Sequence, residues 1–229
     1  MWAKLNSDKD TIEEIIVHPK TMTVDGITHP RTLFSLWTDA ERKAIGIVPV
    51  TTSGTHLNEK YYMEKAEAFA IAGDKNSVVR TIGVKVADKN LADVNEVWTQ
   101  AQIDDGEAPD GTNANDPKLD LDGSQIVTKG LKTLAKEKAD IDANGFCQGF
   151  NWLIQRKVTA DTAIPSAVVT YMAAVRTSHA SICTAIDNAS DMNAFIALHE
   201  NVYNSDGTLK TVAKVDDWPD DSGVEGYRR

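Results

Sequence analysis

Alternating hydrophobic positions dominate the first hundred residues. Over residues 78–86 the apolar side chains recur with a period of two, which is typical of a half-buried antiparallel strand. Residues 61–72 precede this segment, and the cluster Gly73-Asp74-Lys75-Asn76 between them favours a turn. The pattern therefore predicts a β-hairpin in this part of the chain.

The remaining elements of the first hundred residues are shorter. Strands are predicted at residues 11–17, 21–24 and 27–28, the last two joined by Asp25-Gly26, and an extended segment near a sheet edge is predicted at 47–50, which contains Pro49. Thr38 and Glu41 form a capping-box pattern, which predicts a short helix ending at Gly46. A further short helix is expected over residues 91–103.

Helical periodicity takes over in the second half. A stripe over residues 126–143 predicts a helix that ends at Asn144-Gly145, and the aromatic segment 146–154 is interpreted as a short strand. Apolar residues at steps of three, four and seven predict a long amphipathic helix over 164–186, with Pro165 in its first turn. Ser190 is the expected cap of a last helix.

The distribution of charged residues indicates a boundary between the two halves. The net charge is −10, and residues 101–125 hold seven acidic residues and one lysine among glycines and prolines. We therefore predict an α+β fold in four parts. These are a mostly antiparallel β module at 1–100, an acidic linker or long loop at 101–125, a mostly α-helical module at 126–203 and an extended tail at 204–229.

Composition excludes several classes of protein. With 229 residues, 41% hydrophobic and 25% charged, the chain has the composition of a globular protein. No apolar run approaches the roughly 20 residues that a membrane helix needs, and the N-terminus has no apolar signal-peptide core, so we expect synthesis in a cytoplasm and no membrane insertion. The acidic balance argues against a nucleic-acid partner.

One segment matches the first half of a calcium-binding loop. Asp140, Asp142 and Asn144 offer oxygen ligands at the first, third and fifth positions, and Gly145 takes the sixth. The twelfth position, a bidentate Glu in such loops, is Asn151. The alternative is a helix that ends at a glycine, which the preceding stripe supports, and we expect no metal or other cofactor.

A second candidate for metal binding is the pair His179 and Cys183. Four residues apart on the predicted long helix, they share a face, but zinc needs further ligands, and no other histidine has ligand spacing with them. The alternative is a buried cysteine with a polar neighbour. No nucleophile, phosphate-loop or zinc-protease motif occurs, so we expect no enzymatic activity and no catalytic residues.

Aromatic residues are densest at two places, Tyr61-Tyr62 and the group Phe146, Phe150 and Trp152. Such a cluster can serve as a platform for sugar binding. The alternative is packing in a core or an interface, which is the more common use of aromatic side chains.

The stretch Trp37-Thr-Asp-Ala-Glu-Arg-Lys-Ala-Ile-Gly-Ile-Val-Pro-Val50 resembles the N-terminal module of phage tail and tail-fibre-assembly proteins. The stretch Ala143-Asn-Gly-Phe-Cys-Gln-Gly-Phe-Asn-Trp152, followed by residues 159–161 and the long helix, resembles an uncharacterised C-terminal domain of phage tail-fibre-associated proteins. The family carries no established catalytic residues. The resemblance therefore implies a protein of the virion tail, or a factor that assists fibre assembly.

The resulting expectation is a non-enzymatic structural protein of a phage tail, near the fibres or baseplate, that contacts other tail or fibre proteins. An assembly chaperone absent from the mature particle and a carbohydrate-binding receptor module are the alternatives. The resemblance also makes a homo-oligomer plausible, a trimer among the options, with the helical half in contact; the other possibility is that the stripe over 164–186 is wholly intramolecular.

Overall fold

The computed structural model describes all residues from Met1 to Arg229, in two compact units, Met1–Asp88 and Lys89–Arg229. Strands are the main regular structure of the first unit and helices that of the second, so the α+β class is confirmed. The division lies before residue 100, where the sequence placed the end of the β-rich module. The acidic stretch 101–125 belongs to the second unit rather than joining the two units.

The first unit contains nine strands and two short helices: β1 (Trp2–Leu5), β2 (Ile12–Ile16), β3 (Met22–Val24), β4 (Ile27–His29), α1 (Leu33–Leu36), α2 (Asp39–Ala44), β5 (Ile47–Ser53), β6 (Tyr62–Glu64), β7 (Ala68–Ile71), β8 (Val78–Thr81) and β9 (Lys85–Asp88). Five strands form the main sheet in the order β2-β1-β5-β8-β7, in which only β5 and β8 are parallel. β3 pairs with β4 and β6 pairs with β9, both antiparallel.

Local signals account for α2 and for the first hairpin. The Thr38 hydroxyl accepts from the Glu41 backbone N–H, and the Glu41 carboxylate accepts from the Thr38 backbone N–H, as the capping box requires. β3 and β4 pair across Asp25 and Gly26, both of which have positive φ. These predictions are confirmed.

The extended segment at 47–50 was expected near an edge, and this is wrong: β5 lies in the middle of the sheet. Val50 N–H donates to Met1 O and Leu5 N–H to Gly46 O, so Pro49 falls at a position whose nitrogen points away from β1. Pairing with β8 begins only at Val50. A proline is tolerated in this central strand because neither neighbouring strand needs its missing donor.

Two hydrophobic cores lie on opposite faces of the main sheet. Ile47 packs with Ile16, Leu33 and Phe34 in one core, whereas its neighbour Val48 packs in the other with Ala3, Leu5 and Val78. Successive strand residues point to opposite faces, so both faces of this sheet are covered. Phe69 and Ile71 of β7 lie on the Val48 side, only half-buried.

The predicted hairpin after Tyr61 is confirmed, with one correction. β7 and β8 pair across the turn after Ala72, and β6 and β9 continue the same antiparallel course. The segment 78–86 is not one strand, because Gly83 adopts φ +71° and separates β8 from β9. A Cβ at Gly83 would lie 1.9 Å from Thr55 O, so only glycine fits this crossing.

The second unit contains four short strands and five helices: β10 (Val94–Asn95), α3 (Gln100–Asp104), β11 (Val127–Thr128), α4 (Leu131–Gln148), α5 (Asn151–Ala160), α6 (Ser166–Asn188), α7 (Met192–Ala197), β12 (Val202–Tyr203) and β13 (Leu209–Thr211). Two 3-10 turns follow at Lys214–Asp216 and Glu225–Tyr227. α4 and α6 pack against each other.

The helix expected over residues 91–103 is wrong in extent. Residues 94–95 form β10, which pairs with β11, and α3 begins only after Thr99, which forms a capping box with Gln102. The acidic stretch then folds back on this pair, since Trp98 N–H donates to Asp116 O and Lys118 N–H to Glu96 O. Lys118 also lies 4.8 Å from the centre of the Trp98 ring.

The helix expected to end at Asn144-Gly145 continues to Gln148, and the strand expected over 146–154 is helical. Ala143, Phe146 and Cys147 all pack against the core of the second unit, while Asn144 and Gly145 are exposed. Tertiary packing therefore overrides the helix cost of about 1 kcal/mol for a glycine.

The long helix predicted over 164–186 is confirmed as α6, and the buried residues of its stripe are Val168, Tyr171, Val175, Ile182 and Ile186. The stripe is therefore buried within its own unit. The cap of α7 is Asp191, whose carboxylate accepts from Ala194 N–H, and not the expected Ser190.

The C-terminal segment is not an extended tail. β13 pairs with β12, Trp218 packs at 5.2 Å from Phe146, and Val224 is buried among Phe150 and its neighbours. The C-terminal segment thus closes the core of the helical unit.

Candidate functional site

The two metal candidates of the sequence meet on one face of the α4–α6 pair. Asp140 from α4 and His179 from α6 form a hydrogen-bonded pair, with Asp140 Oδ1 and His179 Nε2 separated by 2.6 Å. Cys183 Sγ lies 3.5 Å from the same nitrogen. Sequence reasoning assigned these residues to two separate sites, because no sequence pattern specifies that α4 packs against α6.

The other members of the calcium pattern do not join this group. Asp142 pairs with Lys138 one turn earlier on α4, and Asn144 is exposed on the same helix. Because α4 is continuous here, the three oxygen ligands do not form a loop around a common centre. No group of three or more His, Cys, Asp and Glu side chains is placed to hold a metal ion.

The α4–α6 group also differs from a thiol nucleophile with its base. In such arrangements the base contacts the thiol through one ring nitrogen and the orienting carboxylate through the other. Here Asp140 and Cys183 both face Nε2 of His179. Burial and the charge of Asp140 raise the pKa of the Cys183 thiol, which keeps it protonated and poorly nucleophilic.

Next to this group, two lysines of α4 contact Asp187 of α6. Lys136 Nζ lies 2.8 Å from Asp187 Oδ1, and Lys132 Nζ donates to Asp187 O over 2.9 Å. The hydrogen bond to Asp187 raises the pKa of Lys136. The polar face between α4 and α6 therefore contributes cross-helix contacts rather than an open binding site.

The aromatic group Phe146, Phe150 and Trp152 is occupied by contacts within the chain. Phe150 is fully buried, and the ring of Trp152 carries the Arg229 guanidinium at 3.9 Å and the Arg156 guanidinium at 5.0 Å. Trp152 Nε1 donates to Tyr227 O. A sugar ring would have to displace both arginines, so packing explains this group better than a sugar-binding platform.

A shallow groove of about 460 Å³ runs beside the first turns of α6. Its walls are Ala167, Thr170 and Tyr171 on the helix and Pro219 and Val224 on the C-terminal segment. The lining is largely apolar and holds no convergent set of charged groups, which distinguishes it from a catalytic cleft.

In the first unit, the two strands β6 and β9 with the adjoining Val84 form what we call the β6–β9 arm, residues 62–64 and 84–88. Met63, Val84 and Val86 are exposed here, at 52%, 44% and 62% of their full surface. Lys85 Nζ lies 5.0 Å above the Tyr62 ring, and Lys60 Nζ lies 5.1 Å from the Tyr61 ring. The arm thus combines exposed apolar side chains with an aromatic ring, and aromatic residues and Met are enriched at protein interfaces.

Comparison with protein-family models, with curated proteins and with solved structures finds no match to this chain. None of the helices combines the length and the apolar character that crossing a bilayer requires.

Proposed function

We propose that this chain is a non-enzymatic structural component of a phage virion tail, at or near the fibres or baseplate, and that it acts through protein–protein contacts. The exposed apolar side chains of the β6–β9 arm carry the proposal. Without a partner, the three large apolar side chains of this arm stay in contact with water, which is unfavourable in free energy.

Support also comes from the stretch that resembles tail proteins. Residues 37–50 fold as the capped helix α2, the glycine Gly46 with φ +78°, and the central strand β5. A Cβ at Gly46 would lie 3.1 Å from Leu5 O, so the close approach of Leu5 and the positive φ both favour glycine at this position. The segment therefore contributes the central strand of the main sheet, and the β6–β9 arm follows it along the chain.

The test is the composition of purified particles and its response to changes in the arm. We expect quantitative mass spectrometry to find the chain in mature virions at a fixed ratio to the major tail protein. Met63→Glu and Val86→Glu should lower its incorporation at least several-fold. Val17→Glu, at another exposed apolar position of the first unit, is the matched control and should leave incorporation unchanged.

Absence of the chain from mature particles, with accumulation in infected cells, would overturn the structural role and favour the assembly chaperone. Binding to a glycan array that is lost on substitution of Tyr62 would favour the receptor module. Equal effects of the arm and control substitutions would show that the arm is not the contact surface.

A further inference from the structure

The two edges of the main sheet are protected to very different degrees. At one edge, β2 carries Glu13 and Glu14 in its middle and its pairing with β1 is irregular, both of which discourage another strand from pairing there. At the other edge, β7 has the sequence Ala-Phe-Ala-Ile and no charge. An uncharged, regular edge strand is a template for strand addition.

The hydrogen-bond register shows which groups of β7 are free. Ala72 N–H donates to Ser77 O, so residues 72 and 77 are a hydrogen-bonded pair, and the antiparallel alternation then makes Ala70 and Val79 another. The backbone N–H and C=O groups of Phe69 and Ile71 consequently point away from β8. Because β7 is the last strand of its sheet, no strand pairs with these groups.

The side chains of β7 are arranged almost symmetrically about Ala70. Residues 68–72 read Ala-Phe-Ala-Ile-Ala, so small side chains alternate with two large ones. Phe69 and Ile71 lie on the core face and are only half-buried, while Ala68 and Ala70 on the opposite face are exposed. A strand with this pattern is complementary to a reversed copy of itself.

We propose that β7 pairs antiparallel with β7 of a second copy of this chain, about a two-fold axis midway between the two Ala70 residues. In this register Phe69 of each copy lies opposite Ile71 of the other, and each such pair exchanges two backbone hydrogen bonds through the free outward groups. The half-buried Phe69 and Ile71 side chains then cover one another on the core face. The result is one continuous sheet across two chains.

Charge is compatible with this arrangement. Glu67 falls opposite Gly73 of the second copy, so no like charges oppose each other along the paired strands. Glu67 is moreover paired with Arg80 of its own chain, whose Nη2 lies 2.5 Å from Glu67 Oε2. Because both subunits use the same surface about a two-fold axis, the contact gives a closed dimer and not a longer assembly. The dimer needs no contact from the helical half, and it does not depend on whether the chain occurs in a virion.

The register allows a cross-linking test in the full-length chain. Ala70 lies beside the axis, opposite Ala70 of the other copy in a pair without hydrogen bonds, where Cα atoms are about 4.5 Å apart, within the range for a disulfide. Ala70→Cys should therefore give a disulfide-linked dimer on mild oxidation, with the two introduced thiols joined. In the matched control Ala68→Cys, the two thiols are separated by about four residues of strand, roughly 13 Å, and should not be linked.

A second test needs no cysteine. Light scattering over a concentration series should show the wild-type mass rising from 25.0 kDa towards twice that value. Ala70→Lys and Ala70→Glu should each remain monomeric because like charges would meet on the axis, and an equimolar mixture of the two should recover the dimer. Circular dichroism of each variant confirms that its fold is retained.

Three outcomes would overturn the proposal: a wild-type mass that stays at 25.0 kDa up to high micromolar concentration, equal cross-linking of the two cysteine variants, or a larger mass that Ala70→Lys leaves unchanged. The last would place self-association on another surface. None of these outcomes depends on whether the chain occurs in virions, so the dimer and the proposed function are tested separately.

Discussion

Arg228, the penultimate residue, donates from Nη2 to the hydroxyl of Tyr171 in α6 over 3.3 Å. Its guanidinium also lies 5.3 Å from the Phe150 ring and 2.9 Å from Asp221 Oδ2. One arginine thus joins the C-terminal segment to two buried aromatic residues of the helical unit. Burial in this setting raises the pKa of Tyr171.

The first prediction concerns this C-terminal closure. Val224→Ala removes two methyl groups from a side chain that is only 3% exposed, and we expect it to lower the free energy of unfolding by about 2 kcal/mol. Val212→Ala, at an exposed position of the same segment, is the control and should cost less than about 0.5 kcal/mol. Urea denaturation measures both, and equal effects would mean that the C-terminal segment does not close the core.

The elements that sequence reasoning predicted correctly are those specified by nearby residues. The capping box at Thr38, the turn at Asp25-Gly26 and the stripe of α6 each depend on contacts within a few positions. The elements it missed depend on distant partners. α4 passes through Gly145 because Phe146 and Cys147 pack against residues far along the chain, and periodicity near Gly145 carries no sign of them.

The candidate site was predictable only in part, for the same reason. The spacing of His179 and Cys183 places them on one helical face, and the structure confirms their proximity. That Asp140 completes the group follows from the packing of α4 on α6, which no sequence pattern specifies. Likewise, the break in the strand predicted over 78–86 follows from the crossing of Gly83 with Thr55.

The second prediction tests that crossing. Gly83→Ala combines a positive φ with a Cβ only 1.9 Å from Thr55 O, and we expect a loss of more than about 3 kcal/mol of stability, or failure to fold. Gly26→Ala is the matched control, because Gly26 has φ +80° but open space around it. It should cost only the conformational strain, about 1 kcal/mol. Thermal denaturation distinguishes them, and similar melting temperatures would rule out a steric role for Gly83.

The third prediction uses the capping box. Thr38→Ala should lower the free energy of unfolding by about 1 kcal/mol at neutral pH, whereas Thr38→Ser, which keeps the hydroxyl, should change it little. Hydrogen bonds from the backbone N–H and hydroxyl of Thr38 lower the pKa of Glu41 below its ordinary value of 4.5. Ionised Glu41 therefore favours the folded state above pH 4.5, and this contribution is lost as the pH falls through the lowered value.

The difference between wild type and Thr38→Ala should accordingly shrink under acid, when Glu41 becomes protonated. Denaturation curves recorded at pH 7 and near pH 3 give the comparison. A difference that grows on acidification would contradict the assigned pairing of Thr38 with Glu41.

The fourth prediction concerns the polar group between α4 and α6. Alkylation of Cys183 reports on the charge of Asp140, and alkylation of Cys147 serves as the control. Burial raises the pKa of both thiols, and at Cys183 the negative charge of Asp140 raises it further. The thiolate is the reactive form, so alkylation of both should be slow at pH 7. Asp140→Asn keeps the side-chain shape and removes the charge. We expect the alkylation rate of Cys183 at pH 7 to increase, by less than about tenfold, since one pKa unit changes the thiolate fraction tenfold. Cys147 is the internal control, because its charged neighbours are Arg176 and Arg228 and its rate should not change.

Iodoacetamide labelling followed by peptide mass spectrometry measures the alkylation of both cysteines in one sample. If both rates rose together, Asp140→Asn would be loosening the helix pair as a whole; if neither changed, Asp140 would not govern the charge environment of Cys183.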